Sequence, residues 1–225
     1  MEKQVLRHEL KYYISRPGAA LIRSRLSALM RPDAHADGFS PYFIRSLYFD
    51  DMDLSAYRDK LSGVEHRNKY RIRYYNGDLS YVVFEKKQKV GDRIRKTSVR
   101  LTSEQTERML AGKSVENAEA PLLKEYNVLV KNVALRPLVL VDYDRTVFSY
   151  PVGNVRITLD EGLASRRFTG SLTDRSACGR VLSPEEVVLE VKFDSLLPPQ
   201  IRCLLENVPK DRSAISKYCL CCSLL

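Results

Sequence analysis

Lys69-Tyr70-Arg71-Ile72-Arg73-Tyr74 sets a cation beside an aromatic or branched aliphatic residue at every step. Residues two apart in an extended strand share a face. The stretch therefore predicts a strand with Lys69, Arg71 and Arg73 on one side and Tyr70, Ile72 and Tyr74 on the other. The same period of two recurs outward from it. In 80–89, Glu85, Lys87 and Lys89 oppose Val82 and Phe84. In 5–14, Glu9 shares a face with Lys11, and in 137–148 Tyr143 shares one with Arg145. Arg156, Thr158 and Asp160 alternate with Val155, Ile157 and Leu159. Glu190 and Lys192 alternate with Leu189, Val191 and Phe193.

Helices are expected between these strands. Ser15 caps a predicted helix over 16–29, with Pro17 in its first turn, where a missing N–H is harmless. A strand over 43–50 and a short polar helix over 53–60 follow. Strands over 68–75, 80–89 and 94–101 read as a meander. Asn76-Gly77 is a tight-turn signal, and Gly91-Asp92 marks the next reversal. Thr102-Ser103-Glu104-Gln105 is a capping box opening a helix to 111, and another helix covers 120–131. Strands at 137–148, 155–160 and 187–194 complete a set of eight. Pro198-Pro199 introduces a helix to 207, and 213–220 is a last helical segment. Strand runs outnumber helices and few connections suit parallel crossovers, so the expected class is α+β with an antiparallel sheet.

A charged face can simply be solvated, and for one strand that reading suffices. Here the charge is strongly biased: Lys11, Lys69, Arg71, Arg73, Lys87, Lys96, Arg145, Arg156 and Lys192 against Glu9, Glu85, Asp160 and Glu190. The helices are also amphipathic, with Leu21, Ile22, Leu26 and Leu29 forming one stripe that needs an apolar sheet face. If helices cover the apolar side, the charged sides look inward. The expectation is an eight-stranded antiparallel β-barrel with a polar, basic lumen and helices packed outside. Confined cations repel when poorly screened, so such a lumen suits a dense polyanion such as stacked phosphates. Glu190 could then ligate Mn2+ or Mg2+ bridging phosphate oxygens. Glu9 and Glu85, each in a Glu-x-Lys pair, are either further metal ligands or ion-pair partners that orient the lysine.

The 225 residues suit one domain over 1–225. With 44% hydrophobic and 29% charged residues the composition is that of a folded soluble chain, excluding a disordered or membrane-embedded one. No apolar run nears the roughly 18 residues that span a bilayer, and Met1-Glu2-Lys3-Gln4 carries no apolar signal core, so a cytoplasmic protein is expected. Among the five cysteines Cys219 and Cys222 form a C-x-x-C pair, but no second pair or nearby histidine completes a zinc site. His8, His35 and His66 lie far away in sequence. Cys178, Cys203, Cys219, Cys221 and Cys222 are expected to be reduced, buried or half-buried thiols.

Eight segments in order carry a resemblance: Arg7-His8-Glu9-Leu10-Lys11-Tyr12, Arg45-Ser46-Leu47-Tyr48-Phe49-Asp50, Lys69 to Tyr74, Phe84-Glu85-Lys86-Lys87, Tyr143-Asp144-Arg145, Arg156 to Asp160, Leu189-Glu190-Val191-Lys192 and Ser216-Lys217-Tyr218. Together the chain resembles the triphosphate tunnel metalloenzyme (CYTH-like) superfamily. Within it, the chain is similar to the polyphosphate polymerase domain of the vacuolar transporter chaperone (VTC) complex. The resemblance implies a transferase that moves the γ-phosphate of ATP onto a growing inorganic polyphosphate chain, with a divalent metal, usually manganese. It implies that Arg71, Arg73, Lys87, Lys96, Arg145 and Arg156 cradle phosphates and that Lys11 orients the phosphate transferred. Glu190 would hold the metal, and Lys217 would reach into a tunnel mouth. Lys69, Tyr143, Lys192 and Tyr48 complete the substrate-binding set. Strand parity selects Lys87 over Lys86, while Arg93 and Arg95 are alternatives to Lys96.

Hydrolase and cyclase relatives usually open with Glu-x-Glu-x-Lys, whereas here Arg7 precedes Glu9-x-Lys11. That exchange favours polymerase over tunnel triphosphatase, which stays as the alternative. The expected partners are ATP with polyphosphate or pyrophosphate. These 225 residues carry no SPX-like or membrane-spanning pattern, so translocation is expected to need a membrane partner, and a compact chain of this kind suggests a bacterial or archaeal source. Two non-enzymatic readings remain: a nucleic-acid module, which would need its charge and 13 tyrosines facing solvent, and a tunnel that binds polyphosphate without turnover.

Overall fold

The computed structural model describes residues 7–33, 36–91, 93–174 and 179–224. The expected features at 1–6, His35, Asp92 and Cys178 lie outside these, as does the side chain of Arg93. In chain order the elements are β1 (His8–Ser15), α1 (Arg16–Ser27), β2 (Arg31–Pro32), β3 (Tyr42–Asp50), α2 (Ser55–Leu61), β4 (Arg67–Tyr75), β5 (Asp78–Val90) and β6 (Arg93–Arg100). Then come α3 (Ser103–Leu110), α4 (Pro121–Val133), β7 (Arg136–Tyr150), β8 (Val155–Arg167), β9 (Gly179–Arg180), β10 (Glu186–Phe193), α5 (Pro199–Leu205), β11 (Asp211–Arg212) and α6 (Lys217–Cys222).

Local signals act as their chemistry requires. Ser15 Oγ accepts the Gly18 N–H at 3.2 Å, capping α1. Thr102 and Gln105 exchange reciprocal bonds of 3.1 Å ahead of α3. Asn76 and Gly77 both take positive φ (51° and 75°), the pair of left-handed residues that a tight hairpin needs. Asp50 and Asp51 cap α2 from outside it: Asp50 accepts from Ala56 and Tyr57, and Asp51 from Asp53 and Ser55. The last helix begins at Lys217 rather than 213, because Asp211–Arg212 is drawn into strand pairing with Tyr12 and Tyr13.

The sheet is large and antiparallel in every recorded pairing, ordered β11-β1-β10-β8-β7-β3-β4-β5-β6, with β2 on β7 and β9 on β8. It has eleven strands, and three of them are two-residue additions to the eight expected. The expected closed barrel is corrected: among the described residues the end strands do not pair with each other. Period-two patterning fixes which side of a strand is apolar. Closure depends on tilt and stagger, which that pattern does not encode, and here β11 already occupies the outer edge of β1.

The chain divides into two compact units. The first comprises residues 1–43, 143–163 and 182–216, and the second 44–142, 164–181 and 217–225. In the first unit Ile22 and Leu26 of α1 and Ile201 of α5 pack on Ile14, Ile157, Leu159, Val187, Leu189 and Val191. In the second, Met109, Leu122, Leu123 and Tyr126 pack on Leu47, Phe49, Ile72 and Phe84. Each such side chain contributes roughly 1.5–3 kcal/mol by leaving water. These strand residues all have the parity opposite to the charged set, so the helices do cover the apolar faces. One polar pair sits on the covered side: Arg45 Nε bonds Asp142 Oδ1 at 2.7 Å, and its NH1 bonds the Leu172 carbonyl at 2.7 Å. This buried ion pair fixes the loop that crosses that helix-covered face.

Candidate functional site

Directly opposed residues of neighbouring antiparallel strands share a face, so the register turns separate alternations into rows. In the second unit one row runs Tyr48, Arg71, Glu85, Ser98 across β3, β4, β5 and β6. The next row runs Lys69, Lys87, Lys96. Lys87 therefore stands with the cations, whereas Lys86 points the other way and pairs with Glu125 beside Tyr70. Arg95 opposes Gln88, which leaves Lys96 in the row.

Glu85 anchors this cluster. Its Oε2 lies 2.6 Å from Arg71 and 3.9 Å from Arg73, and its Oε1 lies 2.7 Å from Lys96 Nζ. Burial alone would push this carboxyl up, but Arg71, Arg73 and Lys96 outweigh it and hold it well below the usual carboxylate range. Arg71 also donates to the Tyr48 hydroxyl at 2.9 Å. Burial raises that phenol, yet Arg71, Arg73 and Lys69 together bring it below its ordinary value. Arg73 Nε bonds Ser46 Oγ at 3.0 Å.

α6 belongs to the same unit and carries Lys217 at its start. Tyr218 beside it donates to Asp50, its ring lies 5.1 Å from that of Tyr48, and Lys69 Nζ lies 5.2 Å from its centroid. Burial and the Asp50 carboxylate drive the Tyr218 hydroxyl far up, so it stays a donor. Asp50 and Tyr218 thus position the helix bearing Lys217. The sequence quotes both residues but does not reveal that they meet. Burial pushes the Cys221 thiol up and that of Cys222 to about 12, so both remain protonated and inert. Cys203 departs from the expected burial and is exposed.

The first unit collects the remaining candidates in two rows: Lys11, Glu190, Thr158 and Glu9, Lys192, Arg156 across β1, β10 and β8. Lys11 Nζ lies 3.0 Å from Glu9 Oε1 and donates to the Ile215 carbonyl at 3.0 Å. Lys192 Nζ lies 3.0 Å from Glu190 Oε1. Burial lowers the Lys192 ammonium below its ordinary value despite Glu190 and Glu9. Arg145 makes a two-point fork with Asp160 at 2.6 and 2.7 Å, lies 5.2 Å from the Tyr143 ring centroid, and reaches within 3.8 Å of Glu190. Its burial opposes charge, but Asp160 and Glu190 hold it firmly protonated. Asp160 is fully buried and is the orienting partner that charge bias alone did not assign. Arg156 pairs with Asp33 at 2.6 Å, a contact that no strand pattern signals. The Thr158 hydroxyl, 1% exposed within the Lys11 row, has no hydrogen-bond partner among the described residues.

Glu9 and Glu190 are diagonal neighbours on one face of β1 and β10. Their donor set fits a hard cation, since Mg2+-like ions take one or two carboxylates and fill their shell with phosphate oxygens and water. Glu85 fits less well, because three cations already surround it. No group of three or more His, Cys, Asp or Glu that could hold a metal converges among the described residues, so a cation here would owe the rest of its shell to substrate and solvent.

No curated protein matches the sequence. Among solved structures, the chain is similar to HpAC1 from Hippeastrum, an adenylyl cyclase by name with a dominant triphosphatase activity. The TM-score is 0.58 at 15% identity, over 97% of this chain and 95% of that one. It is also similar to an adenylate cyclase by name from Bacillus halodurans, with TM-score 0.50 and 16% identity over 84% and 82%. At such identities the likeness is one of fold, that of the CYTH-like triphosphate tunnel proteins. No helix among the described residues is long and apolar enough to cross a membrane. The VTC domain family matches residues 6–225, nearly the whole sequence and every row described above, and the chain belongs to that family.

Proposed function

We propose that this chain is a metal-dependent polyphosphate polymerase, acting as one domain over residues 1–225 on ATP and inorganic polyphosphate or pyrophosphate in the cytoplasm. The observation that carries the reading is the row Lys69, Lys87, Lys96. Like charges directly opposed across strands are destabilising, and a run of phosphates lying along them removes the penalty. Arg71 and Arg73 add planar forks suited to phosphate oxygens.

In the reaction a terminal oxygen of the acceptor chain forms a bond to the γ-phosphorus of ATP. The bond to the bridging oxygen breaks, and ADP leaves with its electron pair. The acceptor is already an anion, so no strong base is required, and positioning plus charge neutralisation carry the catalysis. Arg71, Arg73, Lys87 and Lys96 hold the donor phosphates, and Tyr48 and Lys69 support them. Lys11, Arg145, Arg156 and Lys192 orient the transferred phosphate and the chain, with Tyr143 beside Arg145. Lys217 approaches from α6. Glu190 and Glu9 would hold Mn2+ or Mg2+, which when bound neutralises charge on phosphate oxygens.

The second reading is a tunnel triphosphatase, favoured by the fold likeness to HpAC1. Incubation with ATP and manganese separates the two on a polyphosphate-staining gel. The polymerase yields ADP and long phosphate chains. Release of free phosphate with no polymer would select the hydrolase. A melting temperature unmoved by millimolar triphosphate would overturn both, since a ligand of the folded state must stabilise it.

A further inference from the structure

A cavity of about 260 Å3 in the first unit is lined by Arg7, Arg31, Tyr150, Asn154 and Arg156, among others. We propose that it is a second anion site, continuous with the phosphate-binding face through Arg156, that takes the phosphates of an inorganic polyphosphate chain beyond those held for transfer. This rests on the phosphate-transfer reading above and adds a subsite to it.

Three separate segments bring the guanidiniums together. Arg7 precedes β1. Arg31 sits on β2, whose pairing with β7 sets it opposite Ser149, another wall residue. Arg156 comes from β8. Two of the three are oriented by carboxylates: Arg156 by Asp33 at 2.6 Å, and Arg7 by Asp194 at 3.1 Å. Arg7 also donates to the Asn154 carbonyl, while its buried Nε, although close to Asp194, lies out of hydrogen-bonding alignment with it. Arg31 is exposed and has no ion-pair partner among the described residues, so the cavity keeps an uncompensated positive charge. The Tyr150 hydroxyl accepts from Gln200 Nε2 at 3.1 Å, which leaves its own proton to donate to an anion.

Charge, more than size, sets the ligand class. Sites for drug-sized molecules run from about 300 to 1,000 Å3, and this cavity falls below them. Its three arginines suit a run of phosphoryl groups, and its volume holds only a short run. Guanidinium groups from three segments of the wall offer N–H donors of the kind that bind phosphate oxygens.

The test compares binding of triphosphate, long-chain polyphosphate and oligothymidylate to the full chain at low salt, with melting temperatures as a check of folding. Arg31→Ala is expected to weaken long-chain polyphosphate roughly fivefold, the loss of one exposed charged contact of about 1 kcal/mol. Triphosphate binding should stay unchanged, and Arg31→Lys should restore most of the loss. A combined Arg7→Ala and Arg31→Ala variant should lose more than Arg31→Ala alone. Long-chain binding indifferent to Arg31, or triphosphate binding falling in parallel with it, overturns the proposal while leaving the enzyme reading intact. Oligothymidylate showing the same dependence on Arg31 overturns it in favour of a nucleic-acid site. If the unmodified chain binds neither triphosphate nor polyphosphate, the enzyme reading and the subsite fall together.

Discussion

In the first unit Glu9, Asp160 and Glu190 stand among Lys11, Arg145, Arg156 and Lys192. In the second, Glu85 stands among Lys69, Arg71, Arg73, Lys87 and Lys96, while Asp50 is engaged by α2 and Tyr218. The first cluster is close to balanced, and each row sets a carboxylate opposite a lysine, Lys11 to Glu190 and Glu9 to Lys192. The second has a large positive excess, with three lysines opposed directly across strands. On the proposed reading, the difference separates two tasks of phosphoryl transfer. A cationic excess holds phosphates, whereas paired carboxylates can hold a cation and keep an arginine such as Arg145 in one orientation. Both use the same strand alternation, so the distinction lies in which charges the register sets side by side.

Breaking the second cluster should have the largest effect. Arg71→Ala is expected to cut turnover by about 10²–10³-fold, the range for one lost electrostatic contact to the transferring group. It should also destabilise the fold by about 1–3 kcal/mol, because Arg71 lies 2.6 Å from the buried Glu85. Arg71→Lys keeps a cation for Glu85 without the planar fork and should recover more stability than turnover, measured by thermal melting beside the gel assay. Stability regained together with activity would mean that Arg71 acts only through the fold.

Glu190→Gln tests the first cluster. Turnover and its dependence on manganese should disappear while triphosphate still raises the melting temperature. If the variant keeps its metal response, the carboxylates serve only as ion-pair partners.

pH sharpens the contrast. Glu85 has a folded-state pKa depressed below its unfolded value of about 4.3. Its stabilisation is therefore fully present above that value and is lost as pH falls towards the folded one. Glu85→Gln should be less stable than the parent chain near neutrality, and the gap should shrink in acid. A gap constant with pH in denaturant titrations would show that charge at Glu85 does not stabilise the fold.

Two smaller effects remain. Tyr218→Phe removes the bond to Asp50 and should cost about 1 kcal/mol, with a few-fold loss of turnover as Lys217 loses its fixed helix. Lys87→Met should stabilise the ligand-free chain by roughly 0.2–1 kcal/mol through relief of like-charge opposition, yet reduce the melting shift given by triphosphate. Loss of stability in Lys87→Met would remove the evidence that the lysine row is a ligand site.

Much of the fold was legible because its signals are local. Ser15, Asn76-Gly77 and the Thr102–Gln105 box act within a few residues, and the strand parity of Lys87 follows from its neighbours alone. The partnerships that orient the site were not legible. Arg145 with Asp160, Arg156 with Asp33, and Tyr218 with Asp50 join residues that no spacing rule relates. Arg7 and Arg31 read singly as surface cations and gain meaning only from the cavity they share.

The sequence by itself determined which face of each strand is charged and which is covered by helices, because side-chain direction alternates with every residue of an extended chain. Tertiary structure alone decided which strands neighbour one another, and hence that three lysines form one row and that Glu9 and Glu190 are diagonal neighbours on β1 and β10. It also decided that the sheet stays open, with Asp211–Arg212 taking the edge of β1. The physical reason is range: alternation is fixed by bonds within a strand, whereas register and closure come from packing and hydrogen bonds between segments far apart in the chain.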